Sequence, residues 1–420
     1  MTPVGVLVVA IGGEACASGA LSMGWHANAD VPFRPGDEFP FEDRALVRID
    51  CGGFAAELEP AAKLHFLLEC RRSLRPRGEL SIAVDTRRGA AQDLARIATR
   101  VGLDVEDSEP TASGAAPGLR FTKPDRMLCG NALVSILIPA YNEAFFAACL
   151  DSALAQTYDR IEIVVCDDSP GTGIEAIART RASRFPVRYE RNAARRGPRG
   201  NFTRCFELAR GEFVKFLCDD DLLAPTCVAA LVDAFRNAPD ITLATSARQR
   251  IDADGRLLED QPATNPVAAE DSVIAGHVLA NAMIVTGLNM VGEPSTALFR
   301  KTELLGQAPE YFRFGDEAGH GFIDLVTWAT LLLRGDAVYL RERLSSFRIH
   351  PGQRQRDPAK VKRNFASARS LQAAWLDLGL HARLRPDVLL MKPYPPAGEG
   401  EWRTLRSTWP REPHRVSAAT

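Results

Sequence analysis

The stretch VSILIPAYNEAFFAACLDSALAQTYDRIEIVVCDD (residues 134–168) places two apolar runs on either side of an amphipathic one. The runs VSILIP (134–139) and IEIVVCDD (161–168) are almost continuously apolar, which is typical of strands buried on both faces of a sheet. Between them, Phe146 and Leu150 recur at the spacing of a helix. The stretch therefore predicts a strand–helix–strand unit of an α/β domain.

The same alternation continues downstream. PVRYER (186–191) predicts a third strand, GNFTRCFELA (200–209) a helix, and EFVKFLC (212–218) a fourth strand. Asp167 and Asp168 end the second strand, and Asp219 to Asp221 follow the fourth. Because ligands of open α/β sheets bind at the carboxyl ends of the strands, we expect both acidic clusters at the ligand-binding edge.

Three adjacent carboxylates repel one another, so a folded chain must offset the repulsion at Asp219–Asp221. Solvent, a cluster of basic side chains and a metal cation are the three alternatives. In the simplest case, one aspartate only caps the helix predicted in DLLAPTCVAALVDAF (221–235). Proteins usually hold Mg²⁺ through one or two carboxylates together with substrate phosphates. We therefore predict that at least one of the three aspartates binds a divalent metal.

The composition is that of a globular domain protein. The chain has 420 residues, a formal net charge of −2 and 46% hydrophobic residues. A net charge near zero argues against a general nucleic-acid binder, because such proteins carry a basic excess. The nine cysteines show no metal-binding spacing and are odd in number, which favours reduced thiols in the cytoplasm over a disulfide framework.

Neither of the two most apolar segments predicts a membrane span. MTPVGVLVVAIGG (1–13) lacks a basic n-region and is interpreted as a buried strand. The segment 273–292 carries His277, Asn281 and Asn289, which are costly in hydrocarbon, so a core helix followed by a loop is expected. We expect a soluble protein that is at most peripheral to the inner face of the cell membrane.

Composition also predicts the domain boundaries. A segment rich in Pro, Gly, Ser and Ala (107–125) reads as part of a linker, which we place at residues 107–131. A first domain then covers residues 1–106 and a second covers 132–352. Residues 353–420 are expected to form a helical extension followed by a loose tail.

Several motifs occur in a fixed order in the second domain. They are Pro139-Ala140-Tyr141-Asn142-Glu143, the helix segment 152–158, Asp167-Asp168-Ser169, the loop RNAARRGPRGN (191–201) and the turn ending in Asp219–Asp221. In this order they resemble the family 2 glycosyltransferases over about residues 132–352. The resemblance implies the GT-A fold, a Rossmann-like mixed sheet flanked by helices.

The resemblance also implies the binding residues. The nucleotide site it implies comprises Pro139, Tyr141, Glu143, Asp167, Asp168, Asp219 and Asp220. We add Arg199 to this site because a guanidinium suits phosphate oxygens. The implied ligands for Mg²⁺ or Mn²⁺ are Asp219, Asp220, Asp221 and His350. This chain departs from the family at Cys218, where many members have an aspartate, so the identity of the direct ligand stays open.

A catalytic base is implied as well. The stretch GFIDLVTWATLLLRGDAVYLRERLSSFRIH (321–350) is similar to the family segment that carries the base, and it places Asp324 at that position. A helix N-terminal acid stabilised by the macrodipole is the structural alternative. Asp316 and Glu317 are the fallback bases. The arginines of the loop 191–199 face either the diphosphate or only solvent.

The first domain has its own, weaker resemblance. AAKLHFLLECRRSLRPRGELSIAVDTRR (61–88) resembles the later half of a class I methyltransferase, although Arg77 stands where that family has a glycine. Gly12, Gly13 and Asp30 supply only part of the cofactor fingerprint. We therefore expect a small, degenerate α/β methyltransferase-like domain that does not use S-adenosylmethionine.

Together these features predict a metal-dependent, inverting glycosyltransferase of surface polysaccharide or glycolipid synthesis. The expected donor is a nucleoside-diphosphate sugar, uridine-based by family frequency, with thymidine and guanosine as alternatives. The expected acceptor is a hydroxyl of a glycan or of a lipid-linked sugar. A bifunctional methyltransferase/glycosyltransferase and a catalytically weak nucleotide-binding scaffold are the competing interpretations.

Overall fold

The computed structural model describes residues 8–11, 21–24, 31–32, 39, 41, 43–51, 54–84, 90–106, 118–128, 130–181, 184–316, 322–353, 358–395 and 401–406. The chain divides into two compact units. Unit 1 comprises Met1–Arg126 and Leu376–Arg383, and unit 2 comprises Met127–Trp375 and Leu384–Thr420. The α/β class predicted for both parts is confirmed, and each unit is described by itself.

Unit 1 is built on a seven-stranded sheet. Its strands are β1 (Val8–Ile11), β2 (Leu21–Gly24), β3 (Val31–Pro32), β4 (Leu46–Cys51), β5 (Leu74–Ala83), β6 (Asp104–Glu106) and β7 (Gly118–Thr122). Its helices are α1 (Phe54–Glu57), α2 (Pro60–Ser73) and α3 (Ala90–Arg100). The strand order is β3-β2-β1-β4-β5-β7-β6, in which β1 to β5 are parallel and β7 runs antiparallel to both neighbours.

The order β3-β2-β1-β4-β5 is that of doubly wound nucleotide-binding sheets. Nine residues (12–20) separate β1 from β2, and six (25–30) separate β2 from β3. A helical crossover between parallel strands takes a dozen or more residues, so the chain supplies fewer than that arrangement uses. Gly12, Gly13 and Asp30 lie outside the described residues, and the methyltransferase-like interpretation of this unit stays a prediction.

The residues that resemble the methyltransferase motif begin in the last turns of α2 and have a clear structural basis. The Arg72 guanidinium bonds the Glu69 carboxylate at 2.8 Å and the main-chain oxygen of Phe41 at 2.7 Å. Glu69 in turn accepts the N–H of Phe39 at 2.9 Å. Arg77, near the start of β5, has φ = 59°, a left-handed conformation that favours glycine. Arg77 thus occupies the glycine position of the resemblance with a glycine-like backbone.

Part of the segment expected to be a linker is a strand. β7 pairs with β5 from Ala83↔Gly118 to Glu79↔Thr122 and also pairs with β6. Phe121 of β7 is fully buried. β7 supplies hydrogen-bond partners for backbone groups of β5 that would otherwise lack them. Composition alone does not reveal such a pairing.

Unit 2 contains a twelve-stranded mixed sheet. Its first strands are β8 (Val134–Ala140), β9 (Ile161–Asp167), β10 (Val187–Arg191), β11 (Phe213–Phe216), β12 (Leu222–Leu223) and β13 (Ile241–Ile251). The remaining strands are β14 (Leu257–Leu258), β15 (Ser272–Ile274), β16 (Leu298–Arg300), β17 (Asp336–Arg348), β18 (Val388–Pro393) and β19 (Arg403–Arg406). The main order is β10-β9-β8-β11-β16-β13-β17-β15-β18-β19.

Eight helices accompany this sheet within the part of unit 2 that the structure describes. They are α4 (Glu143–Leu154), α5 (Gly173–Thr180), α6 (Gly197–Leu208), α7 (Cys227–Asn237), α8 (Gly276–Thr286), α9 (Thr302–Leu305), α10 (Ile323–Arg334) and α11 (Pro358–Leu376). α8 is the predicted core helix. No helix of the described ranges has both the length and the apolarity to cross a bilayer.

The strand–helix–strand unit predicted from residues 134–168 is present. The Asn142 side chain caps α4 by accepting the N–H of Ala144 at 3.1 Å. Phe146 and Leu150 on the predicted stripe of α4 are fully buried, and burying such a side chain stabilises the fold by about 1.5–3 kcal/mol. β8, β9, β10 and β11 are mutually parallel, so their carboxyl ends share one edge.

The C-terminal region is more ordered than its composition suggests. The predicted helix is α11, but residues expected to be loose form β18 and β19. β18 pairs with β15 from Ser272↔Pro393 to Ile274↔Met391, and Leu389 is fully buried. β18 pairs with the edge of β15 that would otherwise be unpaired. Because the two strands are more than a hundred residues apart, the local sequence does not reveal this pairing. Residues 407–420 lie outside the described part.

Candidate active site

The acidic turn lies where the strand order reverses. From β8 the chain proceeds to β9 and β10 on one side, and β11 lies on the other side of β8. Such a switch point opens a crevice outside the carboxyl ends of the two central strands. Asp219 Oδ2, after β11, accepts the main-chain N–H groups of Tyr141 and Asn142, after β8, both at 2.6 Å. The two predicted motifs therefore meet at this crevice.

Asp219 and Asp221 are held by protein donors. Burial, with the adjacent Asp220 charge, raises the pKa of Asp219 to about 7, while the N–H groups of Asn142 and Tyr141 act in the opposite direction. Asp221 is only 1% exposed and accepts the Ser295 hydroxyl at 2.6 Å and the Arg348 N–H at 3.0 Å. Burial, reinforced by Asp220, also raises the pKa of Asp221 well above its usual value. Both carboxylates are thus costly to ionise without a further positive charge.

Asp220 has a different environment. Its Oδ2 lies 3.1 Å from His350 Nε2, and its main-chain oxygen accepts the Arg348 Nε–H at 2.8 Å. His350 is buried, and its ring lies 4.7 Å from that of Phe145. His350, predicted from sequence, is therefore brought directly to the acidic turn.

The donor atoms at this turn fit a divalent cation. The side-chain ligand atoms of Cys218, Asp220 and Asp221 all lie within 4.8 Å of one another. Carboxylate oxygens suit Mg²⁺ and Mn²⁺, whereas a thiol and an imidazole favour softer ions. Asp219, in contrast, directs one oxygen at two backbone amides. Of the four predicted ligands, Asp220 and Asp221 belong to this group. His350 adjoins it through Asp220, whose Oδ2 lies 3.1 Å from His350 Nε2.

Basic groups also offset the acidic turn. Lys215 of β11 is completely buried and donates its Nζ–H to the Ser295 main-chain oxygen. Burial lowers the pKa of Lys215, and the nearby Asp221 acts against that effect. Ser295 also accepts the Cys218 N–H through its hydroxyl at 2.9 Å. The sequence analysis did not predict roles for Lys215, Ser295 and Arg348. A lysine inside the apolar run FVKFL (213–217) does, however, indicate a buried charge that needs a partner.

The second acidic pair organises the neighbouring loop. Asp168 Oδ1 accepts the N–H of Arg196 at 2.8 Å, and its Oδ2 accepts that of Gly197 at 2.9 Å. Asn192 donates to Asp168 at 3.0 Å and to Asn201 at 2.9 Å. Asn201 donates to the main-chain oxygens of Ala140 and Cys166, so it ties the ends of β8 and β9 together. Gly197 has φ = 69°, which explains why a glycine stands inside this loop.

Asp167 is held in the same region. Its Oδ2 accepts the Tyr189 hydroxyl at 2.6 Å and lies 3.4 Å from Arg191 Nη1, while Oδ1 accepts the Ser169 N–H at 2.8 Å. Burial and this carboxylate raise the pKa of Tyr189 to about 12. Asp167 and Asp168 are both at least 93% buried. Their carboxylates are hydrogen-bonded mainly to the segments that follow β9 and β10.

The other predicted nucleotide residues surround the crevice. The Tyr141 ring is 46% exposed, and the Arg195 guanidinium lies 4.8 Å from its centre. Pro139 is buried in β8. The exposed Glu143 carboxylate lies against Gly173, where a Cβ would come within 1.9 Å of it, so a larger residue at 173 would displace this carboxylate. Arg199 is half-buried in α6, and its Nε has no hydrogen-bond partner among the described residues.

Asp324, the predicted base, lies in the first turn of α10. Its Oδ2 accepts the Asn289 side-chain N–H at 2.8 Å. Burial raises the pKa of Asp324 to about 6, with Glu293 adding to the rise and Arg248 and the N–H groups of residues 324 and 325 opposing it. A carboxyl group with this pKa is ionised at neutral pH and remains a useful base.

One segment connects Asp324 to the acidic turn. Asn289 contacts Asp324, and Ser295, six positions later, contacts Asp221. Of the fallback bases, Asp316 is exposed, and Glu317 lies outside the described residues. Asp324 is therefore the candidate that the structure links to the rest of the site.

Comparisons with known proteins show which sequences and structures this chain resembles. The family model for glycosyl transferase family 2 matches residues 135–274. An uncharacterized protein, MT1568, of Mycobacterium tuberculosis is 31% identical over 220 residues, which cover 51% of this chain and 66% of that protein. The Escherichia coli protein named UDP-Glc:alpha-D-GlcNAc-diphosphoundecaprenol beta-1,3-glucosyltransferase WfaP is 35% identical over 99 residues, covering 23% of this chain and 39% of that protein. The chain thus spans less than two thirds of the length of either relative.

A solved structure of residues 1–349 of Staphylococcus aureus TarS in complex with UDP-GlcNAc also aligns with this chain. The two are 18% identical, with a TM-score of 0.45, and the alignment covers 58% of this chain and 66% of the other.

Proposed function

From the membership of residues 135–274 in glycosyl transferase family 2, we propose that this chain transfers a sugar from a nucleoside diphosphate to a hydroxyl group. The proposed reaction depends on a divalent metal, Mg²⁺ or Mn²⁺, and inverts the anomeric configuration. It serves the synthesis of a surface polysaccharide or glycolipid.

The observation that carries the proposal is the meeting of the acidic turn with the β8 loop at the switch point. Asp219 holds the main chain of Tyr141 and Asn142 in place, which leaves Asp220 beside His350. A crevice at a switch point is where open α/β sheets bind nucleotides. The exposed Tyr141 of the β8 loop meets Arg195 of the loop 191–199, and the two can receive a base or phosphate there.

Different residues would bind the metal, bind the diphosphate and remove the proton. Asp220, Asp221 and His350 would hold the cation, whose charge offsets that of the departing diphosphate. Arg199 and its neighbours in the loop 191–199 would bind phosphate oxygens. Asp324 would take the proton of the acceptor hydroxyl as that oxygen attacks the anomeric carbon. Attack from the face opposite the diphosphate inverts the configuration.

The proposed donor is a uridine diphosphate sugar. The name of the relative WfaP includes UDP-glucose and a diphosphoundecaprenol-linked acceptor, which supports a uridine donor and a lipid-linked or glycan acceptor here. Guanosine and thymidine donors are the alternatives that the first experiment separates.

That experiment is a calorimetric titration of the full chain with UDP, GDP and dTDP, each with and without Mn²⁺. We expect one nucleotide to bind, with an affinity that Mn²⁺ increases and that Asp220→Asn removes. The matched control is Asp233→Asn, because Asp233 is an exposed acid of α7 paired with Arg236 at 2.6 Å. Binding of no nucleotide under either condition would overturn the proposal.

A second experiment tests the chemistry. Release of nucleoside diphosphate from the matching nucleotide sugar, in the presence of lipid-linked or oligosaccharide acceptors, is measured for the native chain and for Asp324→Asn. We expect the variant to bind the nucleotide with native affinity and to lose transfer. Transfer at the native rate would show that Asp324 is not the base.

A further inference from the structure

The side chain of Asn289 has an unusually well-defined orientation. Its Oδ1 accepts the Gly292 N–H at 2.9 Å, and its Nδ2 donates to the Gly292 oxygen, also at 2.9 Å. Only one of the two amide orientations satisfies both bonds, because the N–H cannot donate to a nitrogen donor. The same Nδ2 donates to Asp324 Oδ2 at 2.8 Å. The orientation of Asn289 therefore fixes which group faces the carboxylate.

The backbone that holds Asn289 is itself constrained. Gly292 has φ = 105°, and a Cβ there would come within 2.7 Å of Thr296 Oγ1. The Trp328 indole donates to the Gly292 oxygen at 2.9 Å, and Arg248 donates to the Asn289 oxygen at 3.1 Å. Bonds from α10 and from β13 thus fix this turn on two sides.

We propose that Asn289 is a positioning residue for Asp324. The Asn289 amide holds one oxygen of the Asp324 carboxylate, so that the other oxygen is directed at the acceptor hydroxyl. This inference rests on the proposed function, in which Asp324 is the base. Asn289 touches neither donor nor acceptor in this scheme, so it acts only through Asp324. The amide is suited to the role because it stays neutral and cannot compete for the proton that Asp324 takes.

The electrostatic setting makes this contact consequential. Glu293 faces Asp324 with a like charge, while Arg248 and the N–H groups of residues 324 and 325 oppose its effect. Arg248 is engaged with Glu293 at 2.6 Å, so its positive charge is shared. A hydrogen bond to the ionised form of a carboxyl group favours that form. Asn289 therefore keeps Asp324 ionised at lower pH than burial and Glu293 would allow.

The test compares Asn289→Ala and Asn289→Asp with the native chain. A hydrogen bond to a charged group is worth about 1.5–3 kcal/mol, so its loss in Asn289→Ala should move the acid limb about one to two pH units and lower kcat at pH 7 roughly 2- to 15-fold, because less of the base is ionised. The KM for the donor should stay within about twofold of native, and the acid limb of the pH profile should move to higher pH. Asn289→Asp adds a second negative charge and should move that limb further. A fall in kcat with an unmoved pH profile would overturn the proposal.

A readout independent of turnover completes the test. The carboxyl carbons of the aspartates are labelled with ¹³C, and the Asp324 resonance is assigned by its loss in Asp324→Asn. We expect the Asp324 titration to move to higher pH in Asn289→Ala, whether or not transfer is detected. An unchanged titration would overturn the positioning role. A shifted titration in a chain that transfers no sugar would instead leave the positioning contact intact and reject the proposed function.

Discussion

Asp219 accepts the main-chain N–H of Tyr141 across 78 residues of sequence, and the same oxygen also accepts the N–H of Asn142. The acidic turn after β11 therefore fixes the conformation of the loop after β8. Asp220, one residue later, makes no such bond to the β8 loop in the described structure and instead faces His350. Adjacent aspartates thus have separable roles, one structural and one suited to binding.

This separation predicts opposite effects on stability. Asp219→Ala leaves two N–H groups without their acceptor and should lower the free energy of unfolding by about 1–3 kcal/mol. Asp220→Ala should not lower it, because the Asp220 charge opposes ionisation of both Asp219 and Asp221. Urea denaturation of both variants without metal at pH 8 measures the difference. Equal destabilisation would contradict the assignment.

The thiol at the acidic turn predicts an altered metal preference. The Cys218 sulfur lies within 4.8 Å of carboxylate oxygens of Asp220 and Asp221, and thiolates favour Cd²⁺ and Zn²⁺ over Mg²⁺. We expect Cys218→Ser to weaken Cd²⁺ binding at least tenfold and to change Mn²⁺ affinity little. Calorimetric titration with each ion gives the two affinities, and Cys227→Ser, at a cysteine buried in α7, is the control. Equal losses for both ions would exclude the thiol as a selective ligand.

The raised pKa of Asp324 predicts the acid limb of activity. With a pKa of about 6, the carboxylate is ionised above that pH and protonated below it. A base must be ionised to accept a proton, so kcat/KM should fall about tenfold per pH unit below roughly pH 6. The effect on stability has the opposite sign: the folded-state pKa exceeds the unfolded one, so Asp324 stabilises the fold at low pH and this contribution is lost as the pH rises through about 6. Activity measured from pH 4.5 to 8, with denaturation at pH 5 and 8, checks both signs.

Local patterns were enough to predict the strands and helix of residues 134–168, because each element is set by its own apolar periodicity. The carboxyl-edge position of the aspartates followed, since parallel strands end at one edge. What local patterns do not encode are partners distant in sequence. Ser295 reaches Asp221 over 74 residues, and the Arg348 N–H reaches it over 127.

The errors have a common origin. The predicted linker contains β7, and the predicted loose tail contains β18 and β19, because each of these short strands is fixed by pairing with an existing edge. These strands have only four to six residues, and strands of that length carry little periodicity of their own. From the sequence, Asn289 is notable only as a polar residue unsuited to a membrane. Its proposed role depends on a contact with Asp324, which is 35 positions away in the sequence.

The left-handed backbone at Arg77 predicts a stabilising substitution. Arg77 has φ = 59°, where a residue with a Cβ is strained by about 1–2 kcal/mol and glycine is not. Both Arg77→Gly and Arg77→Ala remove the exposed ion pair with Asp125, so their comparison isolates the backbone term. We expect Arg77→Gly to exceed Arg77→Ala in unfolding free energy by about 1 kcal/mol. The control is Arg75, an exposed residue of β5 outside the positive-φ positions, where the Gly variant should be the less stable one by about 0.5–1 kcal/mol. The same order at both positions would show that residue 77 carries no such strain.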